Sequence, residues 1–146
     1  MMTEAVRAAH WTVVGRYDLM GVNGSLLPTP IDPEPAQEGD EGLHASIVAG
    51  ELRLGAEGEY RLSLTARIDT ASGGGYTRAL TSRGLWRFLA SALDPTSGEV
   101  LLIPPEGATT SAAVTGVSLV HRTRGPQAGG EYGEANWIYV RHWQTP

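Results

Sequence analysis

Cysteine and lysine are both missing from this sequence of 146 residues. Without cysteine the chain has no disulfides, thiolate nucleophiles, iron–sulfur clusters or cysteine-type zinc sites. All 11 basic residues are arginine, so a lysine Schiff base and a P-loop lysine are excluded as well. Any chemistry is therefore limited to what tyrosine, histidine, arginine and carboxylate side chains can do.

Long apolar runs are absent too. The N-terminal stretch MMTEAVRAAHW lacks an apolar core of signal-peptide length, and no segment approaches the roughly 20 apolar residues that span a bilayer. The net charge of −5 argues against a nucleic-acid backbone or an anionic membrane as the main partner. These absences predict a cytoplasmic protein that takes neither nucleic acid nor membrane as a partner.

Apolar and polar residues alternate with a period of two along much of the sequence. In GEYRLSLTARID (58–69), apolar and polar side chains alternate, which is typical of a strand with one buried and one wet face. The preceding AGELRLG (49–55) alternates in the same way, and the tripeptide at 56–58 predicts a tight hairpin between the two strands. A third long strand, 76–90, follows a run of three glycines.

Short strands continue through the second half of the chain, after a turn-forming segment at 93–99. They are predicted at 100–105, 109–116, 117–123 and 136–143, with a glycine-rich loop at 124–134 before the last one. Apart from one helical turn at 3–10, no segment has helical character.

About eight antiparallel strands in hairpin order fold into a sandwich or close on themselves. Closure is favoured because it removes the exposed sheet edges. We therefore predict an all-β fold, an antiparallel meander closed into an up-and-down barrel of roughly eight strands. The length predicts a single domain, 1–146, with residues 1–12 as an N-terminal arm.

The first and last strands carry a further pattern, with Gly15-x-Tyr17 on the first and Arg141 near the end of the last. This resembles the lipocalin-like arrangement, in which a Gly-x-Trp on the first strand packs beneath an arginine of the last strand and seals one end of the barrel. Here Tyr17 stands in place of the tryptophan. The sequence also resembles small bacterial barrel proteins, and the resemblance implies a lipocalin-like barrel. The plainer interpretation is that Gly15, Tyr17 and Asn23-Gly24 begin a strand and a turn.

One long irregular segment interrupts the strands. PTPIDPEPAQEGDEG, residues 28–42, has four prolines and five acidic residues, a composition that disfavours a strand. It is either a solvated loop or a lid over the barrel mouth, since long loops on compact domains are often functional.

Strand alternation predicts which side chains face the barrel interior. If Trp86 points inward, Arg78 and Phe88 share its face. On the last strand the aromatic residues lie opposite Ile138 and Val140, and the pattern leaves open which of the two faces is inside. An aromatic interior is a flat-walled apolar cavity that suits a rigid hydrophobic ligand. The candidate ligand-binding residues are Leu62, Leu64, Trp86, Phe88, Leu119 and Trp137. The candidate catalytic residues are Tyr60, Arg78, His121 and Tyr139.

No motif for a metal or a cofactor stands out. The four histidines, His10, His44, His121 and His142, have no metal-ligand spacing. Neither a nucleophile elbow nor a dinucleotide-binding glycine motif is present. The sequence therefore predicts no cofactor and no metal.

Three functions fit these residues, because a fold alone does not determine function. The first is a non-catalytic carrier or sequestering protein for a hydrophobic ligand, and the third is a module whose barrel is filled with side chains. The second, which we favour, is a cofactor-independent cyclase or isomerase. The architecture resembles that of small bacterial barrels that cyclise polyketide-like substrates, and this resemblance implies ring closure on a polyketide-like natural-product intermediate. Orientation alone lowers a barrier substantially, and one Tyr or Arg can polarise a carbonyl. The expected partner is a hydrophobic small molecule, and a homodimer is left open.

Overall fold

All ten strands of the described chain belong to one antiparallel sheet. The computed structural model describes residues 13–31, 44–69, 74–94, 97–126 and 132–142. The strands are β1 (Gly15–Val22), β2 (Ser25–Leu26), β3 (Thr29–Ile31), β4 (His44–Leu54), β5 (Glu59–Asp69), β6 (Gly75–Ala90), β7 (Ser97–Ile103), β8 (Thr110–Thr115), β9 (Ser118–Pro126) and β10 (Tyr132–Arg141).

The sheet closes because β1 pairs on both of its edges. Its strand order is β2-β1-β10-β9-β8-β7-β6-β5-β4-β3, and an additional pairing joins β1 to β4. In that pairing Gly15 lies opposite Leu54, and Arg16 lies opposite Arg53. Eight strands thus form a closed barrel, and the short β2 and β3 lie outside it. This confirms the predicted all-β barrel of about eight strands.

The core follows the predicted alternation. In β5 the inward positions are apolar, from Tyr60 to Ala66, while Glu59, Arg61 and Arg67 are exposed. In β10 the buried positions are Ala135, Trp137 and Tyr139, and these residues belong to the same core cluster. The hydrophobic face of each strand therefore lines the barrel interior, as burial of apolar surface requires.

One end of the barrel, the closed end, is sealed by β1 and β10. Tyr17 is fully buried, and its hydroxyl donates a hydrogen bond to the Val13 carbonyl at 2.8 Å. The Arg141 guanidinium lies 6.0 Å from the centre of the Tyr17 ring and donates to the carbonyl of Val14. Gly15 has a φ of +148°, a backbone conformation that favours glycine, and it lies beside the guanidinium of Arg141.

Two predicted turns have the conformations that their sequences favour. Asn23 and Gly24 both have positive φ, 50° and 81°, and form the two-residue link from β1 to β2. Between β4 and β5, Gly58 has a φ of 89°, and Gly55 N–H donates to the Glu59 carbonyl at 2.8 Å. Both turns hold their strands in antiparallel register.

The wall of the barrel is incomplete on one side. β6 pairs with β5 along its length, from Gly75 to Leu85, but it pairs with β7 only from Leu85 to Ala90. Within the described residues, the second edge of β6 is therefore unpaired between Gly75 and Gly84. We call this part of β6, together with residues 60–69 of β5 that pair with it, the β5–β6 arm.

Several strand boundaries differ from the prediction. β4 begins at His44 rather than at 49, because a bulge between Ile47 and Ala49 interrupts the alternation that marks a strand. β7 begins at Ser97, inside the segment predicted as a turn. The predicted helical turn at 3–10 and residues 32–42 lie outside the described residues.

Two segments predicted as loops contain strands. β3 falls inside the proline-rich segment, and its Pro30 is tolerated because β3 is the edge strand of the sheet. β9 extends to Pro126 and β10 begins at Tyr132, although the sequence between them is rich in glycine. Pairing between neighbouring strands outweighs the low strand propensity of their residues.

Candidate functional site: the barrel cavity

A cavity of about 440 Å³ lies in the barrel at the end opposite the closed end. The β5–β6 arm forms one side of it, and the segment linking β7 to β8 forms another. Its lining residues are Tyr60, Leu62, Leu64, Ser82, Leu102, Pro104, Glu106, Gly107, Ala108, Thr110, His121, Thr123, Arg124, Trp137 and Tyr139. Six of the ten residues proposed from the sequence are therefore brought together here: Tyr60, Leu62, Leu64, His121, Trp137 and Tyr139.

Trp137 contributes a buried hydrogen-bond donor to the cavity wall. Its side chain is only 5% exposed, and its indole Nε1–H has no hydrogen-bond partner within the described part of the chain. Buried donors in native proteins are almost always paired. An unpaired indole N–H beside an apolar cavity is therefore available to an acceptor atom of a bound molecule.

Tyr139 adds a second polar group on the same face of β10. It is 1% exposed, and among the described residues no hydrogen bond to its hydroxyl is formed. Burial raises the pKa of Tyr139 well above its usual range, because the phenolate would be poorly solvated. Tyr139 therefore remains a neutral O–H group that can donate one hydrogen bond and accept another.

His121 faces the cavity as a neutral imidazole. Its Nε2 lies 2.8 Å from the Thr110 hydroxyl, and the side chain is 4% exposed. Burial lowers the pKa of His121 to about 4, because the charged imidazolium loses its hydration. At neutral pH this histidine is uncharged and hydrogen-bonded.

Tyr60 lies at the base of the β5–β6 arm. Its hydroxyl is 3.3 Å from Ser82 Oγ, across the pairing of β5 with β6. Gly84 lies directly opposite Tyr60, and a side chain at Gly84 would start 2.8 Å from the Tyr60 ring. The ring position thus depends on glycine at 84.

Four of the proposed residues do not line this cavity. Arg78 is exposed on the β5–β6 arm rather than inside the barrel. Trp86 faces inward but belongs to the packed core, where its indole N–H donates to the Gly55 carbonyl at 2.9 Å. Phe88 packs against this core, and Leu119 is fully buried within it. Of the two tryptophans proposed as ligand-binding residues, Trp137 lines this cavity and Trp86 does not.

The question left open for β10 is settled by burial. Trp137 and Tyr139 are inside, whereas Ile138 and Val140 are half-buried on the other face. Sequence reasoning did not single out Leu102 or Thr110 as cavity residues. Their positions relative to Tyr60 and His121 depend on strand register, and no local sequence signal indicates that register.

Across 13–31, 44–69, 74–94, 97–126 and 132–142, no helix has the length and hydropathy needed to cross a bilayer. The same residues contain no group of three His, Asp or Glu side chains placed to hold a metal ion.

Comparison with known proteins gives no family. No protein-family model matches the sequence. No curated protein and no solved structure matches it significantly either. Function must therefore be inferred from the chemistry of the site.

Proposed function

We propose that the barrel binds a neutral, mostly apolar small molecule that carries a hydrogen-bond-accepting oxygen. The observation that carries this proposal is the buried, unpaired indole N–H of Trp137 in the wall of the 440 Å³ cavity. A buried donor without a partner lowers stability, and a ligand oxygen at this position would supply the missing acceptor. The leucines of β5, Leu62 and Leu64, supply an apolar surface for the rest of the ligand.

The charges around the cavity support a neutral ligand. Among its lining residues only Glu106 and Arg124 carry a charge, and both are exposed at the surface. His121 is neutral at physiological pH because burial lowers its pKa to about 4. A charged ligand group inside would be desolvated without a counter-ion, which is costly.

We also propose that the chain is a lipocalin-like barrel. Support comes from the closed end, where Arg141 lies over Tyr17 and beside Gly15. This contact has the same strand positions as the seal that the sequence resembles. A cytoplasmic location stays a prediction.

The second candidate function is a cofactor-independent cyclase or isomerase acting on such a ligand, as we predicted from the sequence. Trp137 and Tyr139 lie two positions apart on one strand face, about 7 Å along the strand. Both are neutral donors on nearly fully buried side chains. Such donors stabilise negative charge that develops on a carbonyl oxygen during enolisation or ring closure. The carrier function requires only binding, and the ligand class is the same for both.

The test compares two ligands that differ in one acceptor. Acetylnaphthalene carries a ketone oxygen, and ethylnaphthalene has nearly the same shape without it. We expect isothermal titration calorimetry to show saturable binding of both, with the ketone bound about two- to tenfold more tightly. In Trp137→Phe that ketone preference should disappear, while ethylnaphthalene affinity changes little.

Trp86→Phe is the matched control, since the Trp86 indole N–H is already paired with the Gly55 carbonyl. This variant should keep the ketone preference. Absence of saturable binding of either ligand to the wild type, or an unchanged preference in Trp137→Phe, would contradict the proposal.

A further inference from the structure

Three arginines form a row across the outer face of the barrel. Arg53 on β4 lies directly opposite Arg61 on β5, and Arg61 lies directly opposite Arg83 on β6. Like charges that face each other across strands destabilise a sheet. Arg53 is paired with Glu51, but Arg61 and Arg83 have no ion pair or hydrogen bond in the described part of the chain. Their charges therefore repel each other without local compensation.

Hydroxyl groups lie beside this row, two residues further along both strands. Ser63 and Thr81 are directly opposite each other on the same outer face. With Ser82 and the two unpaired arginines they line a depression of about 200 Å³. No carboxylate lines it, and within the described residues the Ser63 and Thr81 hydroxyls have no hydrogen-bond partner. Two guanidinium groups and two hydroxyls thus surround one polar hollow.

An apolar groove lies on the opposite side of the same arginines. It has a volume of about 850 Å³ and includes Leu85, Ile103, Pro104 and Pro105. Leu85 is 57% exposed, an unusual position for a large apolar side chain beside charged neighbours. Three arginines and a single carboxylate, Glu59, also line this groove, so its charge is positive although the whole chain carries −5.

We propose that this outer surface is a second binding site, for an anionic amphiphile. The oxyanion head group, a carboxylate, sulfonate or phosphate, lies between Arg61 and Arg83 with the Ser63 and Thr81 hydroxyls as further donors. The apolar body lies in the groove against Leu85. The arginine pair lies between the polar hollow and the apolar groove. This order and the positive charge favour a ligand with one anionic end and an apolar body.

This site is distinct from the barrel cavity, although the two adjoin. Tyr60 and Pro104 line both the groove and the cavity, so they form the partition between them. The cavity is lined by one arginine and one glutamate, both at the surface, whereas the groove is lined by three arginines and one glutamate. The two sites are therefore expected to select ligands of opposite character, neutral inside and anionic outside.

The probes for this proposal are anilinonaphthalene sulfonate and its neutral parent phenylnaphthylamine, which differ by one anionic group. We expect Arg61→Gln and Arg83→Gln each to weaken sulfonate binding about two- to fivefold, and the double variant about five- to twentyfold. Salt at ~1 M, where the screening length is ~3 Å, should weaken sulfonate binding to the wild type by a similar factor. Neither the arginine substitutions nor the added salt should weaken binding of the neutral probe. Because these substitutions remove a repulsion, they should not impair folding.

Arg122→Gln is the matched control, an exposed arginine on β9 whose loss changes the net charge equally. It should leave sulfonate binding unchanged, as should Trp137→Phe in the cavity. Equal weakening by Arg122→Gln, or full sulfonate affinity in the double arginine variant, would overturn the proposal. If the ketone-preference test of the cavity fails while the sulfonate results are as expected, only the cavity proposal is overturned, because the two sites use different residues.

Discussion

At the scale of single residues, burial decides the charge of His121. The imidazole lies among cavity residues with Thr110 as its hydrogen-bond partner, and its pKa is lowered to about 4 from the ordinary value of 6.5. In the unfolded chain the same histidine takes up a proton near pH 6.5. Between these two pH values the unfolded state binds more protons than the folded state, so acid favours unfolding.

We predict that His121 makes the protein less stable as the pH falls from 6.5 to about 4. The loss should accumulate to about 3 kcal/mol and then level off, because below pH 4 both states are protonated. The measurement is urea unfolding of the wild type and of His121→Gln across this pH range. The loss due to His121 is the difference between their two curves of unfolding free energy against pH. Parallel profiles would show that His121 is not buried as a neutral group.

Trp86 and Trp137 show what the sequence could and could not predict at this scale. Alternation identified the residues that share a face with each tryptophan, but it left open which face of β10 is inside; burial shows that both tryptophans face inward. One indole N–H donates to the Gly55 carbonyl and the other has no partner among the described residues. The difference depends on which carbonyl a distant hairpin brings close, and no local pattern contains that information.

At the scale of elements, β6 combines two environments in one strand. From Leu85 to Ala90 it pairs with β7 inside the barrel wall, and from Gly75 to Gly84 it pairs with β5 while its β7-side edge is unpaired in the described structure. Alternation predicted the face of each residue on β6 but not its height in the barrel. Arg78 therefore lies out on the arm and Phe88 in the core, although both share the face of Trp86. Height is set by the stagger between strands, which arises from long-range pairing.

We expect hydrogen exchange to distinguish the two parts of β6. In an antiparallel pair, successive amides point to alternate neighbours. Along 75–83, every second amide should thus exchange fast, because it points away from β5 toward solvent. From 85 to 87 consecutive amides should all be protected, because Leu85 and Arg87 pair with β7 and the Trp86 N–H donates to the Gly58 carbonyl at 2.9 Å. Residue-resolved NMR exchange measures this, and uniform protection along 75–83 would indicate that another chain covers this edge.

At the scale of the whole molecule, hairpin order and turn chemistry were enough to predict a closed antiparallel barrel. The hairpin at 55–58 and the Asn23-Gly24 turn were visible in the sequence and have the predicted conformations. The pairing of β1 with β4 that closes the sheet was not visible, because these strands are distant in sequence and nothing in either strand identifies its partner. Closure also creates the cavity: in an open sheet, β5 and β10 would not share one interior.

The pairing of β1 with β4 is therefore the contact that makes the molecule a barrel, and a disulfide can test it. Arg16 and Arg53 are directly opposite across this pair and point outward, and the chain has no cysteine of its own to interfere. Opposed strand positions are about 4.5–5.5 Å apart, within the range that a disulfide spans. We predict that Arg16→Cys combined with Arg53→Cys oxidises readily in the folded protein. Closing a loop of about 38 residues should then raise the free energy of unfolding by about 3–4 kcal/mol relative to the same variant reduced.

The control is Arg16→Cys combined with Arg122→Cys, which places the second thiol on β9 and should form no intramolecular disulfide. Urea unfolding with and without reductant, after mass spectrometry of the linked peptides, measures both results. If the two cysteines that replace Arg16 and Arg53 stay reduced under conditions that oxidise free thiols, β1 and β4 do not pair and the sheet is open.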